Sequence, residues 1–147
     1  MSVFARFKKS PDGLKNLVEL WETTPLLRRQ KMIEIGKSED PAYTDLALKY
    51  VILFEDILKL SDDELKALLQ DTPPRLAAYA IFSASEDVKT RWLEVANPPV
   101  RREIQEYLGT SQVPPTSIGG AQLKMVEITR KLVKKGEIHC KKVPVTN

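Results

Sequence analysis

The sequence predicts an all-α fold, an armadillo-like or orthogonal stack of short helices, and three observations carry that prediction. Apolar residues recur at steps of three and four through most of the chain, which is the period of a helix face and not of a strand. The breaks between these runs are written as Ser, Thr, Asp or Asn followed by Pro or by acidic residues, the signature of a helix start. β-Branched clusters and Asn-Gly hairpin signals are nearly absent. The predicted helices are short, about 10–12 residues each, and would be marginal alone in water, so packing has to hold them. Short helices joined by tight Pro-capped turns favour a stack of crossed helices over a long parallel bundle.

Taken in order, the first helix is expected to start near Pro11 and run to about Glu22, with Leu14, Leu17, Val18 and Trp21 on one face. Thr24 followed by Pro25 predicts a second, carrying Leu26, Leu27, Met32, Ile33 and Ile35 and stopping at Gly36. Asp40-Pro41 starts a third toward Tyr50. The most apolar stretch, residues 51–60, follows. Ser61 with Glu64 reads as a capping box, in which the serine oxygen accepts the N3 amide and the glutamate reaches back to the cap amide. Leu65, Leu68 and Leu69 form the buried face behind it. Thr72-Pro73-Pro74 starts a short helix with Leu76, Ala77, Ala80 and Ile81 inward; Ser85 opens the next, with Val88, Trp92 and Val95 at helical spacing. Asn97-Pro98-Pro99 caps one more, with Val100, Ile104 and Leu108 inward and Gly109 as its stop. After a loop at 110–116, Ile118, Ala121, Met125, Ile128 and Leu132 form an a/d stripe that ends at Gly136.

A chain of 147 residues with 42% apolar and 29% charged residues is expected to fold as one compact domain or as two small helical units. Net charge +3 is too small to argue for nucleic-acid binding. Lys124, Lys131, Lys134, Lys135, Lys141 and Lys142 make the C-terminal end basic, but Glu127 and Glu137 intervene and no aromatic residue is interleaved for base stacking, so they read as a solvated face. No apolar run approaches the roughly 20 residues that span a bilayer, and Met1–Ser10 lacks the apolar core of a signal peptide. A single cysteine, Cys140, forms no internal disulfide and fits a reducing compartment. With His139 as the only histidine, neither a metal site nor a catalytic triad is expected. Asp62, Asp63 and Glu64 are explained by capping and the helix dipole, and Gly119-Gly120 lacks the Lys-Ser/Thr of a phosphate loop. No catalytic residue, metal, cofactor or small-molecule substrate is therefore expected.

Several short motifs occur in one colinear order: Phe54-Glu55-Asp56-Ile57 with Leu60 and Asp62, then Leu65 and Leu69, the small residues Ala78, Ala80, Ala84 and Ser85, the pair Ala121-Gln122, and Arg130, Leu132 and Gly136-Glu137-Ile138. From Phe54 to Ile138 this order resembles the C-terminal domain of the FliG family of flagellar motor switch proteins. Glu39-Asp40-Pro41 ahead of the apolar run is similar to the helices just upstream in that family, so the resemblance spans roughly residues 11–138. It implies a right-handed superhelical architecture. Its parts are an armadillo-like segment (1–50), an apolar hinge-like segment (51–60) and a C-terminal helical domain (61–138), with a flexible tail (139–147). It also implies a non-catalytic assembly module whose partners are other rotor or motor subunits, the chain itself included. That module would sit in the cytoplasm, peripheral at the inner-membrane base of the flagellum.

The resemblance marks three groups of residues. The family hinge pattern Met-Phe-x-Phe falls on Val51, Ile52, Leu53 and Phe54, of which only Phe54 is identical; periodicity alone reads the same run as buried core, and the two roles are compatible. At the family's charged, stator-facing ridge, Phe82 stands where a lysine is expected, Pro99 where an arginine is expected, Glu106 and Tyr107 at the acidic pair, and Pro114 at a final arginine. Arg101, Arg102, Glu103 and Glu106 are the candidate shifted ridge. The alternative is a solvated face in which Arg102 and Glu106 form an i,i+4 pair worth about 0.2–0.5 kcal/mol. The family's Gly-Pro-Val-Arg-like loop is here Ser111-Gln112-Val113-Pro114. Third, three helices are not expected to bury all of Leu17, Trp21, Leu27, Ile33 and Leu48 and still dock Phe54, so Leu14, Leu17, Trp21, Leu27, Ile33 and Leu48 are read as a subunit-stacking face. The family's N-terminal and most of its middle regions have no room in this length. The chain is thus expected to be a fragment, or a divergent homologue with reduced or altered stator-facing charges. The alternative is a FliG-like regulatory or scaffold module acting outside the flagellar motor.

Overall fold

The computed structural model describes residues 3–110 and 112–141. Lys142, Ser111 of the loop and residues 142–147 of the expected tail lie outside the described residues. The described residues form ten helices and no strand, as the periodicity predicts. They belong to two compact units, one comprising Met1–Ile52 with Lys141–Asn147 and the other Leu53–Cys140.

The first unit contains α1 (Val3–Lys9), α2 (Gly13–Thr23), α3 (Leu26–Glu39) and α4 (Pro41–Leu48). Helix α1 is absent from the sequence-based expectation, which starts the first helix near Pro11. Arg6, Lys8 and Lys9 crowd its last turn, where cations suit the negative end of the dipole. It packs on α2 and sets Phe4 edge-on against Trp21, with ring centroids 6.1 Å apart. At the corner between α3 and α4, Asp40 serves two partners. One carboxylate oxygen accepts the Tyr43 amide at 3.2 Å and caps α4; the other accepts from Lys8 Nζ at 2.8 Å. Those two hydrogen bonds, the lysine's foremost, hold the Asp40 carboxyl below the usual carboxylate range.

Gly36 does not stop α3, which continues to Glu39. A Cβ at Gly36 would run into the Thr44 hydroxyl and the Phe4 ring, so this glycine serves close helix packing. Thr24 does not cap α3 either; its hydroxyl donates back to the Leu20 carbonyl, and Pro25 takes the cap position.

The second unit contains α5 (Phe54–Leu58), α6 (Asp62–Asp71), α7 (Pro74–Ala80), α8 (Glu86–Val95), α9 (Pro98–Leu108) and α10 (Pro115–Lys134). Ser61, Ser85 and Asn97 accept the amides of Glu64, Val88 and Val100 at 3.3, 3.3 and 3.1 Å, so three of the helix starts are fixed as the sequence predicts. Helix α10 packs on α5, α6 and α7, and α7 in turn packs on α9. At 20 residues α10 exceeds the expected length and begins inside the predicted loop, with Pro114 as its cap. It ends in a Schellman turn: Gly136 has φ 78° and donates to Val133, and Glu137 donates to Leu132 at 2.9 Å. The core holds Ile57, Leu65, Leu68, Leu69, Ile81, Trp92, Ile104, Met125 and Leu132, all buried.

Candidate functional site

Three groups of residues were marked by sequence, and the structure places each differently. In the first unit, Leu14, Leu17 and Trp21 are fully buried and are core, not a partner face. The expectation that they stay exposed omits α1, which packs on α2 beside α4 and sets Phe4 against Trp21. Ile33 and Leu48 are half-buried, and Leu27 is 77% exposed. On α3 the inward residues Arg29, Met32, Ile33 and Gly36 follow one another at steps of three, one and three, which places Leu27 on the opposite, outward side. On the same helix Leu26 and Ile35 are 55% and 52% exposed, and Leu20 in the last turn of α2 is also exposed. The expected stacking face omits these three. Their signal is the apolar content of α3, which does not keep to one helical face.

Val51–Leu53 is not helical, and Leu53, itself extended, stands at the cap of α5, which begins at Phe54. Val51 and Ile52 are fully buried, and Leu53 and Phe54 half-buried. The Ile52 amide donates to the Glu22 carboxylate at 2.7 Å, and the Val51 carbonyl accepts from Lys141 Nζ at 2.8 Å. The Leu53 amide donates to Asp56 at 2.8 Å, while the Phe54 ring lies 6.2 Å from that of Trp92.

On α9, Arg101 is not part of an exposed ridge. Its guanidinium donates to the carbonyls of Leu93, Glu94 and Ala96 and closes the C-terminal end of α8. Spacing alone cannot reveal this, because the acceptors are backbone groups on the preceding helix. Arg102, Glu103 and Glu106 are exposed. Glu103, Glu106 and Tyr107 face Pro73, Pro74 and Arg75 across a shallow open cleft, where Tyr107 stands edge-on to Tyr79. Of the other family ridge positions, Phe82 is half-buried under the Lys89 ammonium, while Pro99 and Pro114 are exposed at helix starts. Replacing Arg101 with alanine is expected to cost about 2–3 kcal/mol, because several terminal carbonyls lose a charged donor. Arg102→Ala is expected to stay within about 0.5 kcal/mol. Urea unfolding of the two variants side by side checks this.

Glu64 does not close the capping box as expected. Its carboxylate accepts from the Ser61 hydroxyl at 3.2 Å and from the His139 amide at 2.6 Å, which ties the residues after α10 to the start of α6. Lys124 pairs with Glu127, and Lys131, Lys134 and Lys135 are exposed. Among the described residues no group of His, Cys, Asp and Glu could hold a metal ion, and no helix is long and apolar enough to cross a membrane.

The FliG C-terminal domain matches residues 37–140. The flagellar motor switch protein FliG of Thermotoga maritima is 26% identical over 129 residues, which cover 86% of this chain and 38% of that protein. The FliG of Aquifex aeolicus is 26% identical over 128 residues, covering 86% and 39%. The chain thus spans about two fifths of the length of these curated relatives. Among solved structures, a crystal structure of FliG from H. pylori superposes with a TM-score of 0.65 at 20% identity, covering 93% of this chain and 65% of that one. Full-length FliG from Aquifex aeolicus superposes with a TM-score of 0.55 at 26% identity, covering 92% and 42%.

Proposed function

The chain belongs to the FliG C-terminal domain family, and from that premise we propose that it is a non-catalytic assembly module of motor-switch type that acts by presenting helical surfaces to neighbouring proteins. The observation that carries this reading is the outward side of α3, where Leu27 and Ile35 are each more than half exposed, with Leu26 exposed at the start of the same helix. Leucine and isoleucine left in water at adjoining positions are the expected mark of a docking face. Arg28 and Lys31, exposed on the same helix, would orient a partner that carries acidic groups.

In this reading Val51, Ile52, Leu53 and Phe54 form the hinge-like connection, supported by the division of the compact units between Ile52 and Leu53. The outward-facing charges reduce to Arg102, Glu103 and Glu106, flanking the cleft at Tyr107. The partners are rotor or motor subunits, a second copy included, in the cytoplasm at the membrane base of the flagellum. A second reading is a FliG-like regulatory or scaffold module outside the motor. It is favoured by Phe82, Pro99, Tyr107 and Pro114 at positions where the family carries charge.

Light scattering over a concentration series, combined with pull-downs against purified rotor proteins, tests the proposal. The expected result is self-association or rotor binding that Leu27→Glu abolishes while leaving the melting temperature unchanged. A chain that stays monomeric and binds no rotor protein overturns the motor reading. Flagellar genes beside its own gene favour that reading over the second.

A further inference from the structure

Ile52 and Leu53 are consecutive residues that belong to different compact units, and each is held to its own unit by a carboxylate. Glu22, in the last turn of α2, is 3% exposed, and its Oε2 accepts the Ile52 amide at 2.7 Å. Lys141, which belongs to the same unit, donates its ammonium to the Val51 carbonyl at 2.8 Å. Both polar groups of the Val51–Ile52 peptide are thus anchored to the first unit, and the Val51 and Ile52 side chains are fully buried. On the other side, the Leu53 amide donates to Asp56 Oδ2 at 2.8 Å, within the second unit.

A buried carboxylate is an expensive way to fill space. Taking it out of water costs several kcal/mol unless strong hydrogen bonds offset the loss, and a leucine of similar size would carry no such penalty. Its position at the chain's crossing point, on a backbone amide with no helical acceptor, gives the carboxylate a task that an apolar side chain cannot perform. Charge-assisted bonds to backbone groups are short and about twice as strong as neutral ones.

We infer that Glu22 is a positioning residue that, together with Lys141, clamps the Val51–Ile52 peptide. The inference rests on the hinge reading proposed above. Under it, reorientation of the units falls on the torsions at the two chain crossings, the Ile52–Leu53 and Cys140–Lys141 peptides, and is not spread along the four apolar residues. Hinges that absorb a motion in very few residues are a general device of jointed proteins.

The test uses the full chain with Cys140→Ser and spin labels on cysteines introduced at exposed Lys31 and Lys66. Distance distributions between the labels are compared with the exchange rate of the Ile52 amide. Glu22→Ala is expected to speed Ile52 exchange about ten- to a hundredfold and to widen the distribution. Glu22→Gln keeps the shape and one acceptor oxygen, so a smaller rise in both is expected; it decides the matter should the alanine variant fail to fold. Two glycines inserted between Ile52 and Leu53 give the width of an unclamped joint. If the insertion widens the distribution and the Glu22 variants do not, the clamp is overturned and the hinge reading stands. If nothing widens it, the hinge reading falls and the clamp falls with it.

Discussion

Replacing Trp92 with alanine is expected to destabilise the second unit by about 3–5 kcal/mol, the range for removing a fully buried tryptophan or phenylalanine from a core. Trp92 has no solvent exposure and lies against the Phe54 ring at 6.2 Å. Truncation therefore opens a cavity that short helices pinned by side-chain caps can only partly collapse. Against a total stability of about 5–15 kcal/mol, that loss is a large share. For a unit of this size it should lower the melting temperature by about 15 °C or more. The sequence has two tryptophans, so in this variant fluorescence reports Trp21 in the first unit, while far-ultraviolet circular dichroism follows both. Trp92→Phe separates shape from polarity. The Trp92 indole N–H finds no acceptor among the described residues, so exchange for phenylalanine gives up some volume and also removes an orphan donor. Its cost is expected to stay below about 1.5 kcal/mol. Equal losses for the alanine and phenylalanine variants would show that filling the core is not what Trp92 contributes.

What was legible in the sequence was local. Ser61, Ser85, Asn97 and Asp40 cap helices through amides three positions on, so residue type and spacing suffice to find them. The buried stripe Ala121, Met125 and Leu132 is likewise set by a helical period. What was not legible depends on partners far along the chain. Glu22 meets Ile52 thirty residues away, and nothing near Glu22 distinguishes it from a solvated glutamate. Arg101 was grouped with Arg102 by charge, yet its acceptors are carbonyls at the end of another helix. The candidate stacking face failed for the same reason. Whether Leu14, Leu17 and Trp21 face water depends on whether α1 lies over them, and residues 3–9 carry too short an apolar pattern to declare a helix.

Gly13→Ala is expected to cost about 2–4 kcal/mol, against the sign that helix propensity alone would give. Alanine in place of glycine in an ordinary first turn stabilises by up to about 1 kcal/mol. At Gly13, however, an added Cβ would overlap the carbonyl oxygen and carbon of Phe7. Those are backbone atoms and cannot swing aside, so α1 must lift from α2. Lifting it exposes Phe4, now 3% exposed, and breaks its edge contact with Trp21. The first loss is worth about 1.5–3 kcal/mol and the second about 0.5–1.5. Gly136→Ala is a useful contrast. Its φ of 78° is one that alanine adopts only under strain, but nothing crowds its Cβ, so the cost should be about 1 kcal/mol and confined to the end of α10. Denaturant unfolding gives the magnitudes. A red shift of Trp21 emission in Gly13→Ala, read in a Trp92→Phe background, shows where the damage falls. A neutral or stabilising Gly13→Ala would mean that α1 does not sit closely on α2. Leu14, Leu17 and Trp21 would then regain their standing as a surface another subunit could cover, and the assembly face would no longer be confined to the outer side of α3.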